Sequence, residues 1–184
     1  KFEQNYANPS TVSKQEVDAF RQRLLEAGHR DIYCLATLLS YAGLWINEAL
    51  NIQLSDFNLT TAELKVRGKG NKDRIVYLND KIVNSIREFL RVRKSDSPYL
   101  FVNRQIYLSI DKIKKFTDPL LTRFLTNIAT KLPTYFAALL LYYSLEKGLS
   151  VHEVAYLAGH SNIHTTLLYL NPSREIMKNK ISQL

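Results

Sequence analysis

The string LAGHSNIHTTLLYL, residues 157–170, carries a histidine near its start and a tyrosine near its end. An imidazole can exchange a proton and a phenol can act as a nucleophile, so these are residue types that could do chemistry. Gly159 suits the left-handed position that ends a helix, and the spacing then brings His160 and Tyr169 towards one region. Taken alone, these residues are explained more simply by a helical hairpin with a hydrogen-bonded histidine and a packed tyrosine.

A second group of candidate residues is basic. The chain has 25 Lys and Arg against 17 Asp and Glu, a formal net charge of +8. Excess positive charge raises affinity for polyanions through counterion release, so nucleic acid is the natural partner class. A solvated basic surface is the alternative for each cation. The candidate phosphate contacts surround the glycine-rich string RGKGNKDR and are Lys65, Arg67, Lys69, Lys72 and Arg74.

The composition excludes several other classes of protein. A length of 184 residues is sufficient for one domain with a real core. No run of eighteen apolar residues occurs and the first residues are polar, so we expect an intracellular, cytoplasmic protein with no membrane segment. The one cysteine, Cys34, lies in an apolar helical stretch, which predicts a packed thiol and no internal disulfide. Because Cys and His do not cluster, no metal site is expected.

The spacing of apolar residues predicts the elements that position these side chains. Ser13 and Glu16 form a capping box for a first helix that ends near Gly28. Asn79 or Asp80 can cap one later helix, and Ser161 or Asn162 another. Alternation predicts a β-hairpin with a basic tip. The predicted helices cover 30–41, 46–52, 81–94 and 151–158, the hairpin strands 63–67 and 74–78, and a short strand-like run 99–102.

The C-terminal half is predicted to be helical around a buried centre. Helical spacing continues over 109–128, with Pro119 beginning a helix. Residues 135–147 are apolar around most of the axis, which predicts the central buried helix. The layout is therefore α+β, mostly helical, with one small antiparallel β-sheet.

Four strings of the sequence resemble the tyrosine recombinase (phage integrase) family. One is Gly-His-Ser, followed after seven residues by Tyr, and the other three are longer. YAGLWINEALNIQLSDFN, 41–58, is similar to its Y-x-x-G-L-R-x-x-E-x-x-x-L-x-x-x-D segment. GKGNKDRIVYL, 68–78, resembles its β-hairpin, and LPTYFAALLLYYSLEKG, 132–148, resembles the segment that usually contains P-H-x-L-R-H. The resemblance covers roughly 13–172 in the right order, and implies the family's mostly helical, DNA-binding catalytic domain.

The resemblance implies a role for each matching residue. Tyr169 corresponds to the nucleophile that attacks a DNA phosphodiester, His160 to the histidine that contacts the scissile phosphate, and Lys69 to the general acid for the leaving 5′ oxygen. Glu48 matches an acidic position near the first active-site arginine. Because a phosphotyrosine bond keeps the energy for religation, neither ATP nor a metal nor any other cofactor is implied.

Three positions depart from the family pattern. Trp45 stands where the first arginine is expected, Ala137 where the second is expected, and Thr134 in place of the histidine of H-x-x-R. Guanidinium forks hold the charge that develops on the phosphate oxygens. Losing one such donor costs about 10²- to 10³-fold in rate, or roughly 3 to 4 kcal/mol. We therefore expect DNA strand cleavage to be absent or severely impaired.

The sequence thus predicts a catalytic-type domain over 13–172 that binds double-stranded DNA, after a lead-in or linker over 1–12. The family's N-terminal core-binding domain has no counterpart in these residues. Residues 173–184 are a candidate docking segment for a neighbouring subunit of a homo- or hetero-oligomer on DNA. Three functions stay open: an inactive homologue that binds DNA, an active site-specific recombinase that forms a 3′-phosphotyrosine, and a protein-interaction module that has lost DNA binding.

Overall fold

The computed structural model describes residues 14–68, 73–102, 106, 109–110, 124–125, 144–145, 147–160 and 162–167. Its helices are α1 Lys14–Glu26, α2 Arg30–Tyr41, α3 Ile46–Leu50, α4 Asp80–Val92, α5 Val151–Leu157 and α6 Ile163–Leu167. Its strands are β1 Phe57–Asn58, β2 Glu63–Arg67 and β3 Asp73–Tyr77. Several predictions concern residues outside the described part: the 1–12 lead-in, the Ser13 cap, the hairpin tip, the Pro119 helix start, most of 135–147 and the 173–184 segment.

Helix α2 lies at the centre of the N-terminal helices. Eight of its twelve residues are buried, among them Cys34, and it packs against both α1 and α4. The facing helices contribute apolar side chains at four-residue spacing, Phe20 and Leu24 from α1 and Ile82 and Ile86 from α4, all of them 0% exposed. The apolar character of the 30–41 stretch therefore predicted both the helix and its burial.

The strands form one antiparallel sheet in the order β1-β2-β3. The predicted hairpin is confirmed as β2 and β3, with Val66 opposite Arg74 and Arg67 opposite Asp73. Along β2 the side chains alternate, so that Val66 is buried while Lys65 and Arg67 are exposed. Strand β1 was not predicted, because two residues are too few to show alternation.

Residues 99–102 resemble a strand in sequence but do not form one. Tyr99 makes an isolated antiparallel bridge with Gln53, and the amide of Leu100 donates to the carbonyl of Ile52 at 2.8 Å. Residues 54–56 directly after that bridge turn into a 3₁₀ helix, so no extended partner is available to continue a ladder. The expectation of a strand there was wrong.

Polar side chains cap two of the described helices, α4 and α6, as the sequence indicated. Asn79, the first of two candidates, caps α4 by accepting a hydrogen bond from the amide of Ile82 at 3.1 Å. Asn162 accepts one from the amide of His164 at 2.9 Å at the start of α6. Helix α3 ends at Leu50, two residues before the predicted end.

The α+β prediction is confirmed: the described elements are mostly helical with a small antiparallel sheet. None of the described helices has the length and apolar character that a membrane span requires. The thiol of Cys34 is fully buried, and this burial raises its pKa to about 12, in keeping with the predicted packed thiol.

Candidate active site

The site begins at the N-terminus of α3. Trp45 precedes the helix with extended backbone angles, φ −70° and ψ 148°. Its amide donates to a carboxylate oxygen of Glu48, three residues later, at 2.9 Å. The carboxylate thereby satisfies one of the amides that a helix start leaves unpaired, and this fixes the position of Glu48.

Arg74 of β3 binds the same carboxylate. Its two terminal nitrogens donate to the two oxygens of Glu48 at 2.6 and 2.9 Å, and the side chains are 12% and 10% exposed. A two-pronged pair of this kind suits the planar guanidinium and leaves both oxygens of Glu48 occupied. Since Val76 is buried on the same face of β3, Arg74 extends inward from the hairpin.

The turn after α5 packs directly on this ion pair. Gly159 has φ +68°, and a Cβ atom placed there would lie 2.8 Å from Cζ and 3.1 Å from Nε of Arg74. Glycine is favoured here for two reasons: the backbone is left-handed, and a Cβ atom would displace the guanidinium that lies against it. Among the described residues, Nε of Arg74 is buried and has no hydrogen-bond partner.

His160 follows in this turn and is held between α6 and α3. Its Nδ1 shares a hydrogen bond of 2.8 Å with the hydroxyl of the fully buried Thr166. Its ring centroid lies 6.3 Å from that of Trp45, with the planes tilted by 57°. Burial is the main cause that lowers the pKa of His160, the charge of Arg74 lowers it further, and Glu48 opposes both. The imidazole is therefore favoured in its neutral form.

A different set of charges lies on the outer face of the hairpin. Asp73 forms ion pairs with Lys65 at 2.8 Å and with Arg67 at 3.6 Å, and these two cations are 52% and 69% exposed. The hydrogen bond from Lys65 is the main cause that lowers the pKa of Asp73. All three side chains also line an open cleft of about 240 Å³, together with Asn51 and Asp56. Both cations face solvent but share one carboxylate.

The structure thus brings together four of the predicted site residues, Trp45, Glu48, Arg74 and His160. It separates the described basic residues of the hairpin. Lys65 and Arg67 lie on the exposed face of the sheet, whereas Arg74 lies on the buried face. The other predicted positions lie outside the described residues: Lys69, Lys72, Thr134, Ala137 and Tyr169.

Sequence reasoning missed two participants. Asp73 could have been found from the hairpin register, because it faces Arg67 across the strands. Thr166 gives no such signal, since only the packing of α6 brings its hydroxyl to His160. In the described part of the chain, no group of three or more His, Cys, Asp or Glu residues could hold a metal ion.

Comparisons with known proteins agree with this architecture. The model of the phage integrase family matches residues 11–175. The "TnP I resolvase" of Bacillus thuringiensis is 41% identical over 97% of this chain and 63% of its own length. "Tyrosine recombinase XerA" of Pyrococcus horikoshii is 31% identical over 81% of this chain and 53% of its own length.

Two solved structures share the fold. A crystal structure of XerA recombinase matches with a TM-score of 0.72 and 22% identity, over 96% of this chain and 65% of that one. The Tn1549 transposon integrase in complex with transposon right end DNA matches with a TM-score of 0.65 and 16% identity, over 99% of this chain and 68% of that one.

The fold is that of the tyrosine recombinases. The chain belongs to the phage integrase family, the tyrosine recombinases. It spans 63% and 53% of the length of the two relatives above.

Proposed function

We propose that this chain is the DNA-binding, catalytic-type domain of a tyrosine recombinase whose strand-cleavage chemistry is impaired. The observation that carries the proposal is the position of Trp45. Its indole lies beside His160, and its amide is bound to Glu48, where the family pattern has an arginine. An indole offers one N–H donor, whereas a guanidinium offers five with a permanent charge.

The expected impairment follows from the chemistry of phosphoryl transfer. Attack by the phenol of Tyr169 places negative charge on the non-bridging oxygens, and fixed cations lower that barrier. The substitution at Trp45 removes one such donor, and Ala137 is a second position without arginine. The loss for one donor is about 10²- to 10³-fold in rate, and losses within one site are not additive.

DNA binding is supported by charge and by the family. Lys65 and Arg67 project from the outer face of the hairpin, next to a tip that contains Lys69 and Lys72. The Tn1549 integrase, which shares the fold, is described in complex with DNA. We propose that Lys65, Arg67, Lys69 and Lys72 of the hairpin contact the phosphates of duplex DNA. We also propose that residues 173–184 dock on a neighbouring subunit and that the domain needs no metal or cofactor.

The binding half of the proposal is tested by a gel shift with duplex DNA at several salt concentrations. Lys65→Gln should weaken binding and reduce the slope of log affinity against log salt by about 0.9, the value for one phosphate contact. Arg91→Gln is the matched control, because it removes one exposed charge from α4, away from the hairpin. If neither the parent nor the variants shift DNA at low salt, the domain does not bind DNA.

The chemical half is tested with nicked duplexes, which trap a phosphotyrosine because the cleaved piece diffuses away. The parent chain should give no adduct, whereas Trp45→Arg/Thr134→His/Ala137→Arg should give one that Tyr169→Phe abolishes. An adduct from the parent at Tyr169 would show that the substituted site still cleaves DNA.

A further inference from the structure

Arg74 belongs to the basic hairpin in sequence, but its surroundings differ from those of a DNA contact. Both terminal nitrogens donate to Glu48, and the side chain is 12% exposed, against 52% for Lys65 and 69% for Arg67. A guanidinium in this position has little free surface to offer a phosphate. Its bonds instead connect β3 to the first turn of α3.

The same guanidinium also forms the surface on which the α5–α6 turn rests. Gly159 lies so close that an added Cβ would come within 2.8 Å of Cζ and 2.9 Å of a terminal nitrogen. The next residue is His160, whose ring is held from the other direction by Thr166. Moving the guanidinium would therefore move the backbone that carries the imidazole.

We propose that Arg74 is a positioning residue, which clamps the Gly159–His160 turn onto Glu48 and thereby determines where the imidazole is presented to a DNA phosphate. The inference rests on the proposed function for the role of His160. Lysine cannot replace arginine here, because an ammonium has no planar fork to span both carboxylate oxygens.

The clamp also has an electrostatic consequence for His160. Among the described residues, the charged groups that act on its ring are Arg74 from β3 and Glu48 from α3, while Trp45 and Thr166 contribute an aromatic ring and a hydroxyl. Arg74 has the larger effect of the two charges and disfavours the imidazolium. Its removal should therefore make protonation of His160 easier.

The test is an NMR pH titration of the His160 ring, assigned by its loss in His160→Gln, in the parent, Arg74→Gln and Arg74→Lys. Arg74→Gln should raise the titration midpoint of His160, because it removes a positive charge that disfavours the imidazolium. Arg74→Lys keeps the charge, so its midpoint should stay near that of the parent while the ring resonances of His160 and Trp45 shift. Arg67→Gln removes an arginine from the outer face and should change neither quantity.

DNA affinity gives a second readout. At low salt, Arg74→Lys should weaken DNA binding although lysine preserves the net charge, because His160 is then displaced from the position in which it contacts a phosphate. If Arg74→Gln does not fold, the neutral pair Glu48→Gln/Arg74→Gln replaces it, with a smaller rise in the midpoint expected because an opposing charge is lost too.

An unchanged midpoint and unchanged ring resonances in a folded Arg74 variant would overturn the proposal, as would full DNA affinity in Arg74→Lys when the parent binds. The titration needs no DNA, so failure of the parent to bind DNA would count against the proposed function and leave the clamp to be judged by the NMR result alone.

Discussion

Arg74 and Glu48, 26 positions apart in the chain, are joined by two hydrogen bonds of 2.6 and 2.9 Å between nearly buried side chains. The pair links the inner face of the hairpin to the start of α3, and the α5–α6 turn packs over it through Gly159. Three segments that are distant in sequence therefore depend on one charged contact. Removing one partner of such a pair leaves the other charge buried without compensation.

Glu48→Gln should accordingly destabilise the domain by about 3 kcal/mol, because it leaves the guanidinium of Arg74 uncompensated. Urea unfolding measures this loss. Glu88→Gln is the control, since Glu88 pairs with Arg91 on the surface and its side chain is 40% exposed. That variant should stay within about 0.5 kcal/mol of the parent. Equal losses in the two variants would contradict a structural role for the buried pair.

Gly159→Ala should destabilise the domain more than Gly148→Ala. Both glycines have positive φ, +68° and +89°, so alanine costs about 1 to 2 kcal/mol in backbone strain at either position. Only at Gly159 would the new methyl group also collide with Arg74, whereas nothing in the described part of the chain lies within 4 Å of a Cβ at Gly148. Overpacking adds about 1 to 3 kcal/mol. Melting temperatures of the two variants compare the sites, and equal shifts would show that Arg74 moves aside without cost.

Asp73→Asn should tighten DNA binding about two- to fivefold at low salt. The carboxylate now competes with phosphate for Lys65 and Arg67, and its removal leaves both exposed cations available to the DNA. Fluorescence anisotropy with labelled duplex measures the affinity. Glu88→Gln changes the net charge equally on α4, so the same gain in both variants would attribute the effect to net charge instead of the hairpin.

The stability of the domain should depend on the protonation of His160. The pKa of this group is lowered in the folded chain, so between that value and the unfolded pKa of about 6.5 the unfolded chain binds more protons. The stability that the neutral imidazole of His160 contributes is fully present above pH 6.5, and it is lost as the pH falls through the pKa of the folded chain.

Urea midpoints at pH 7.5 and pH 5.5 test this dependence. Between pH 7.5 and pH 5.5, His160→Gln should lose less stability than the parent, because the variant lacks the imidazole. The carboxylates titrate alike in the two proteins, so they do not cause the difference. His152→Gln, which replaces an exposed histidine of α5, should behave like the parent. A His160 variant with the parent's pH dependence would exclude the imidazole as the source.

Much of the local structure could be predicted because it depends on neighbours in sequence. Helix α2 was predicted with the bounds that the structure has, since both its apolar spacing and the glycines near its ends are local signals. The hairpin was placed within one residue, and Trp45, Glu48 and His160 were expected near one another from the family pattern. Strand β1 was not predicted, because two residues are too few to show alternation. The bridge at Tyr99 was not predicted either, because its partner Gln53 lies in a distant segment of the chain.

The sequence by itself determined the order of the described helices and of the hairpin, and the family, because these depend on residue strings and short-range periodicity. It did not determine which face of β3 carries Arg74, since that face depends on the pairing register with β2. Only the tertiary structure decided that this arginine lies inside, against Glu48 and Gly159, while Lys65 and Arg67 lie outside. The physical reason is that a buried charge requires a partner, and packing alone brings that partner from a distant part of the chain.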